Sequence, residues 1–293
     1  MRNSLLNLVW ARLSVVAITL IALPIIPIAA IQFGFTSPEY LHRGILQGPA
    51  TLEENIDFFQ QYIGYARGLI EANSTNSLVN GLAVGHLLSS SLKITGPIVI
   101  IAIMLALSIG LMIGITAFLG RLGRFLATVV LFLACVPIAV FAYLSLEWLS
   151  GAADSGATKL LVAAILLSFY PMHLVATATR TLLQDLTHSG NAEFLRACGF
   201  NESGILLSQA PKPLALKLLT LTYPAFIFSL SFCFFVETPL GIPGFGQRFF
   251  NAIQSLDYPV IIAFSVSGFI TLTAIELTLA VVHTVLDPRA KHG

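Results

Sequence analysis

The residues best placed to do chemistry lie in one polar run, His188–Glu202, set in an otherwise apolar chain. Glu193 and Arg196 stand three apart and Glu202 six further on, with Gly199 between them. Residues three apart share a helix face. These types suit charge pairing with another surface rather than the making or breaking of covalent bonds. Ser189-Gly190-Asn191 supplies a chain break and an N-cap for a short helix. Glu193 then falls in the first turn, where the helix dipole favours an anion. Gly199 permits a left-handed C-terminal turn. Phe194, Leu195 and Ala197 fill the remaining positions, and Arg196 and Glu202 are left exposed for pairing across a subunit boundary. An ordinary amphipathic connector would carry the same features.

A second group of functional residues begins at Glu237. An acid at membrane depth costs at least about 2.5 kcal/mol and is a functional suspect by default. Pro239, Gly241, Pro243, Gly244 and Gly246 crowd the residues that follow. Proline lacks a donor and glycine has no fixed backbone basin, so regular helix is expected to end there. Glu237–Phe249 therefore reads as a re-entrant loop at an external gate, with Glu237, Pro243, Gly244 and Gly246 as its residues. Pairing with Arg248 or capping of loop amides is the plainer role for Glu237. Glu276 reads as a structural hydrogen-bonding group, with His283 its nearest partner in sequence, and His173 as a satisfied bundle histidine. No GxxxxGK[ST] phosphate loop, nucleophile triad or paired-carboxylate arrangement is present, so the chain is expected to be no enzyme and to need no cofactor or metal.

The elements that must position these groups follow from composition. Of 293 residues, 56% are hydrophobic and 10% charged, and mean hydropathy is +0.88. Soluble domains carry about 25% charged residues, so this is an all-α integral membrane protein. A net charge of +1 gives no nucleic-acid signal. Cys135, Cys198 and Cys233 show no CxxC or Cys/His spacing and read as small buried hydrophobes.

A spanning helix needs about 20 apolar residues. Runs of that order occupy Leu13–Pro38, Ile94–Gly120, Phe125–Leu146, Leu160–Thr179, Leu218–Val236 and Tyr258–Leu286, which predicts six transmembrane helices. The first has a basic start but too long an apolar stretch for a signal peptide, and reads as an uncleaved anchor. With the N-terminus inside, ten of the 15 lysines and arginines are cytoplasmic, including Arg121, Arg180, Arg196, Lys212 and Arg289. Arg43, Arg67, Lys93, Lys159 and Arg248 stay outside. That asymmetry predicts both termini on the cytoplasmic side. The organisation is an N-terminal helix (1–35), an external insertion (36–93) and a core of five helices (94–293) whose cytoplasmic loop is 180–217. Within the insertion, Thr51-Leu52-Glu53-Glu54 reads as a capping box opening an amphipathic helix, Leu52 to Ile70, that packs as a cap on the outer mouth. Asn73-Ser74-Thr75 is a chance sequon. Gly110 and Gly114 form a small-xxx-small pair for close helix approach.

Several motifs together carry a resemblance. Glu193-Phe194-Leu195-Arg196-Ala197-Cys198-Gly199 resembles the EAA-x3-G loop of ABC-transporter permeases. Phe235-Val236-Glu237-Thr238 with Ile242-Pro243-Gly244-Phe245-Gly246 looks like the VET…PGxG segment of the oligopeptide/dipeptide/nickel importer family. Asp257-Tyr258-Pro259-Val260 and Leu286-Asp287-Pro288-Arg289 fit the DYP and LDPR elements that follow it there, and Ala83–Leu88 resembles the entry to the second spanning helix. The likeness covers about Tyr65 to Arg289.

That resemblance implies an inner-membrane permease subunit of an ATP-driven importer, for peptides or similar small solutes. It implies four kinds of partner: a second homologous permease, two ATP-binding subunits, an extracytoplasmic solute-binding protein and membrane lipid. It also assigns Glu193–Gly199 and Glu202 to the loop that couples ATPase closure to alternating access. The chain departs from the family in lacking a PGDP-like sequence after the first helix, in a short Glu147–Ala157 loop, and in carrying Lys217 where a proline is usual. Pro211 and Pro213 are nearby helix breakers. The residues do not separate peptide from nickel chelate, antimicrobial peptide or oligosaccharide. The alternative reading is an ATPase-independent channel or secondary transporter using Glu276 for ion coupling, and a third is a non-transporting scaffold.

Overall fold

A computed structural model describes residues 76–152 and 156–286. The expected first span at Leu13–Pro38, the helix after Thr51, the sequon and the Asp287-Pro288-Arg289 end lie outside these residues. Among the described residues nine helices follow in order: α1 Val84–Leu119, α2 Arg121–Cys135, α3 Ile138–Ala152, α4 Gly156–Thr187, α5 Gly190–Ala197, α6 Glu202–Gln209, α7 Pro211–Leu240, α8 Phe245–Gln254 and α9 Tyr258–Leu286. Among the described residues no strand forms beyond an isolated bridge between Asn76 and Ala83. Helix is what apolar medium demands, because each N–H and C=O must find a partner within its own segment.

Among the described residues, four helices are long and apolar enough to span a membrane: α1, α4, α7 and α9. The expected span Phe125–Leu146 is not one straight helix. It breaks between α2 and α3 with a 91° bend, and counts as a fifth span only if the bent pair is one. Pro137 explains the break, since it lacks an N–H and forces its predecessor out of the helical basin. Val136 accordingly adopts φ −73°, ψ 133°. Other prolines do not break their helices: Pro97 lies inside α1, Pro171 inside α4, and Pro224 and Pro239 inside α7.

The chain divides into two compact units, Met1–Thr95 with Pro243–Leu277 and Gly96–Ile242 with Thr278–Gly293. In the first, Phe245 opens α8 and stacks on the fully buried Phe264 of α9 at 5.0 Å between ring centres. The Phe245 amide donates to Thr95 Oγ1 at 2.7 Å, which ties α8 to α1.

In the second unit α4 and α7 run against each other, and α4 buries Ala163, Ala164, Leu167 and Val175 completely. Tyr170 of α4 stacks on Phe228 of α7 at 4.4 Å, and Phe228 on Phe232 at 4.5 Å. Val99 and Ile103 of α1 pack with Ala225 of α7, and Ala106 with Val130 of α2 and Met172 of α4. The glycine pair works as its spacing suggests. A Cβ on Gly110 would meet the Met172 carbonyl at 2.8 Å, and one on Gly114 the Thr179 side chain at 2.5 Å and the Ala176 carbonyl at 2.7 Å. The close approach is within this chain, between α1 and α4.

The cysteines depart from expectation, with Cys233 buried but Cys135 and Cys198 exposed. Cys135 stands at the α2–α3 break and Cys198 at the end of α5, where chain direction changes and no neighbour covers them. His173 also differs from the satisfied group expected, for its Nδ1 is buried with no hydrogen-bond partner among the described residues.

Overpacking a close helix contact costs about 1–3 kcal/mol. Gly114→Val should therefore lower the thermal midpoint of the detergent-solubilised protein, followed by intrinsic fluorescence. Gly96→Ala, whose new Cβ would have nothing within 4 Å, should leave the midpoint unchanged or slightly higher. Equal effects of the two would overturn the α1–α4 contact.

Candidate functional site

The polar run after α4 folds into two short helices whose ends are closed by side chains and by backbone geometry. Ser189 caps α5, its Oγ accepting from the Ala192 amide at 3.3 Å while its hydroxyl donates to the Leu186 carbonyl at 2.7 Å. Glu193 sits in the first turn of α5 and Arg196 in the last, both signs matching the helix dipole. At the C-terminus the Phe200 amide reaches the Leu195 carbonyl at 3.1 Å and the Gly199 amide the Arg196 carbonyl at 2.9 Å. This pair of bonds is a Schellman turn. It requires a left-handed residue, and Gly199 takes φ +88°.

Asn201 then caps α6, its Oδ1 accepting from the Gly204 amide at 2.8 Å. Ala192 and Ile205 are buried and anchor the two short helices. Phe194 of α5, Phe200 of the turn and Leu207 of α6 are 65%, 55% and 77% exposed, so each segment leaves a large apolar group uncovered. The chain breaks between α6 and α7 at Ala210, directly before Pro211, while Pro213 lies within the first turn of α7. Pro211 stands at the first position of α7, where its missing N–H would have had no partner anyway.

Arg196 and Glu202 are not left open for another chain, as the sequence suggested. They pair with each other: Arg196 Nε donates to Glu202 Oε1 at 2.5 Å and Nη2 to Oε2 at 3.1 Å. Nη2 also donates to the Thr187 carbonyl at 2.8 Å. One guanidinium thus clasps the end of α4, the end of α5 and the start of α6. The hydrogen bond from Arg196 is the main cause that lowers the Glu202 carboxyl below its ordinary value, and the same bond raises Arg196. The clasp was hard to read from sequence because its partners lie six apart across a turn, outside the spacings that mark helix faces. Glu193, Phe194, Leu195, Ala197 and Gly199 share this element; the Glu193 amide donates to the Ser189 carbonyl at 3.1 Å, and its carboxylate makes no hydrogen bond among the described residues.

The second expected group is arranged differently. Helix α7 continues through Glu237 and Pro239 to Leu240, so the re-entrant loop expected over 237–249 is confined to the non-helical residues 241–244. Proline at 239 is tolerated close to a helix end, where little of the hydrogen-bond ladder remains to be lost. Gly241 stops the helix in the left-handed basin at φ 64°, and the Ile242 amide returns to the Glu237 carbonyl at 2.9 Å. Glu237 is fully buried. Pro243, Gly244 and Gly246 belong to the other unit, where Gly244 precedes α8 and Gly246 is buried in its first turn. Arg248 is engaged within that unit, donating from Nη1 to the Leu87 carbonyl at 2.9 Å and to Ser90 Oγ at 2.6 Å.

Because the clasp depresses the Glu202 carboxyl, it is complete above the ordinary glutamate range and weakens as pH falls through the lowered value. A nitroxide on Cys198, in a Cys135→Ser background, should stay immobile from neutral pH down into that acid range and then loosen. Arg196→Ala should loosen it at every pH. A label equally mobile in both proteins at pH 7 would sink the clasp.

Residues 106–292 match the family described as the binding-protein-dependent transport system inner membrane component. The oligopeptide transport system permease protein OppB of Salmonella typhimurium is 26% identical over 252 residues, 81% of this chain and 82% of that protein. A probable peptide ABC transporter permease protein, y4tP, of Sinorhizobium fredii is 24% identical over 79% of this chain and 80% of its own length. The dipeptide transport system permease protein DppB of Lactococcus lactis is 27% identical over 46% of this chain and 44% of its own length. With the family's model spanning well over half of its length, this chain belongs to the inner membrane components of binding-protein-dependent transport systems.

Proposed function

We propose that the chain is the permease subunit of an ATP-driven importer of peptides or similar small solutes. It works with a second homologous permease, two ATP-binding subunits and an extracytoplasmic solute-binding protein. It crosses the inner membrane six times with both termini in the cytoplasm. The observation that carries this reading is the α5–α6 element: a capped, clasped pair of short helices with exposed Phe194, Phe200 and Leu207. A surface that must accept force needs rigidity and something apolar to bury against its partner.

The physical route for force is short. Helix α5 is joined to α4 through residues 188–189, and α6 to α7 through Ala210. A push on Glu193–Gly199 therefore acts on the ends of α4 and α7 together, because Arg196 binds the two short helices into one body. Those two long helices share the stacked Tyr170, Phe228 and Phe232. Closure of the ATPases would tilt them and switch the central path between outward and inward access. The names of the similar proteins support peptide cargo.

Co-expression with the neighbouring genes and native mass spectrometry in mild detergent should recover this chain with a second permease and two ATPases. Recovery of this chain alone, or as a homo-oligomer, would overturn the reading. In that assembly Gly199→Trp should leave membrane insertion intact and abolish ATP-dependent uptake by about tenfold or more, because a side chain resists the left-handed turn. Unchanged uptake would remove the coupling role from α5.

A further inference from the structure

The unit formed by Met1–Thr95 and Pro243–Leu277 contains a cavity of about 500 Å³ that the transport reading does not use. Its volume falls in the range of about 300–1,000 Å³ typical of small-ligand pockets. One wall is a face of α8. Arg248, Asn251 and Ser255 recur there at helical spacing and line the cavity, while Phe245 is buried against Phe264. The facing wall is the turn Ser77–Leu82, closed by the Ser77 amide donating to the Leu82 carbonyl at 2.8 Å.

That turn is built rather than loose. Ser77 Oγ donates to Asp257 Oδ2, and the Leu78 amide donates to Oδ1 at 3.2 Å. Asp257 is 3% exposed and itself follows α8, so it locks both walls in register. Arg248 is equally fixed. Its Nη1 spends both protons on the Leu87 carbonyl and Ser90 Oγ. A guanidinium carries five N–H donors in a planar fork. The remaining edge, Nε and Nη2, donates to nothing among the described residues. An arginine held by one nitrogen with its other edge unspent, in the wall of a ligand-sized cavity, is arranged to take a planar anion bidentately.

The charge pattern narrows the anion. Arg248 and Asp257 are the charged residues that line the cavity, and they sum to zero. A dianion such as phosphate would meet Asp257 unfavourably, whereas a zwitterion carries charge of both signs. We propose that this cavity is a subsite for the carboxylate end of a short peptide, with the Nε–Nη2 edge of Arg248 holding the carboxylate and Asn80, Asn251 and Ser255 offering neutral partners to the adjoining amides. The identification of the ligand as a peptide rests on the transport function proposed above. In the orientation proposed there the cavity lies on the outer side, where cargo arrives.

The test is ligand binding to the full-length chain in nanodiscs of neutral lipid, by calorimetry, with trialanine and its C-terminal amide. Trialanine should bind, and the amide about tenfold or more weakly, the loss of one charge-assisted contact. Arg248→Lys keeps a cation for Leu87 and Ser90 but loses the fork, and should weaken trialanine toward the level of the amide. Asn251→Asp, at an exposed position with no side-chain bond, should weaken trialanine without lowering thermal stability. Equal affinity for acid and amide, displacement of trialanine by inorganic phosphate at lower concentration, or no binding up to about 10 mM would overturn the site. Binding here needs no ATPase. Binding without assembly would therefore sink the importer reading alone, and assembly without Arg248-dependent binding would sink the subsite alone.

Discussion

Backbone polar groups left unpaired in hydrocarbon cost several kcal/mol each, and the whole architecture answers to that constraint. The long helices carry their hydrogen bonds internally, and chain reversals fall where another group can close the ends. Gly241 and Gly199 do this with left-handed turns that return amides to the last carbonyls. Ser189 and Asn201 do it with side-chain oxygens. Pro137 makes the exception among the breaks, since it turns the chain by removing a donor instead of satisfying one.

Given helices that satisfy themselves, side chains decide how they assemble. Apolar burial distinguishes poorly between partner helix and lipid, so close approach needs small residues and specific shapes. Gly110 and Gly114 let α1 reach the backbone of α4, and aromatic rings make the seam between α4 and α7. The two seams differ in character. The first is a close backbone approach with no room for a side chain, the second a run of stacked ring faces. A permease that must alternate between states is served by having both in one unit.

Polar chemistry is confined to places where a fixed geometry makes it useful. Arg196 joins three chain segments through one guanidinium, and Arg248 is fixed through one nitrogen with its other edge unspent. The same residue type thus acts as a spent clasp in one unit and an open fork in the other. The difference lies in neighbours: a carboxylate lies within reach of Arg196, while Arg248 meets a carbonyl and a hydroxyl.

Composition and apolar run length alone determined that the chain is helical and membrane-embedded, because no other fold buries so few charges among so many apolar residues. Local chemistry also made the Ser189 cap, the left-handed Gly199 and the Gly110–Gly114 contact legible, since each depends on neighbours a few residues away or on the absence of a side chain. Tertiary structure alone decided the rest. It pairs Arg196 with Glu202 across a turn, carries α7 through Pro239, bends the third expected span at Pro137 and brings Ser77 onto Asp257. Those outcomes depend on which groups become neighbours in space. Residue spacing encodes faces of one helix but not the meeting of two, and for that reason the clasp and the cavity appear only in the folded chain.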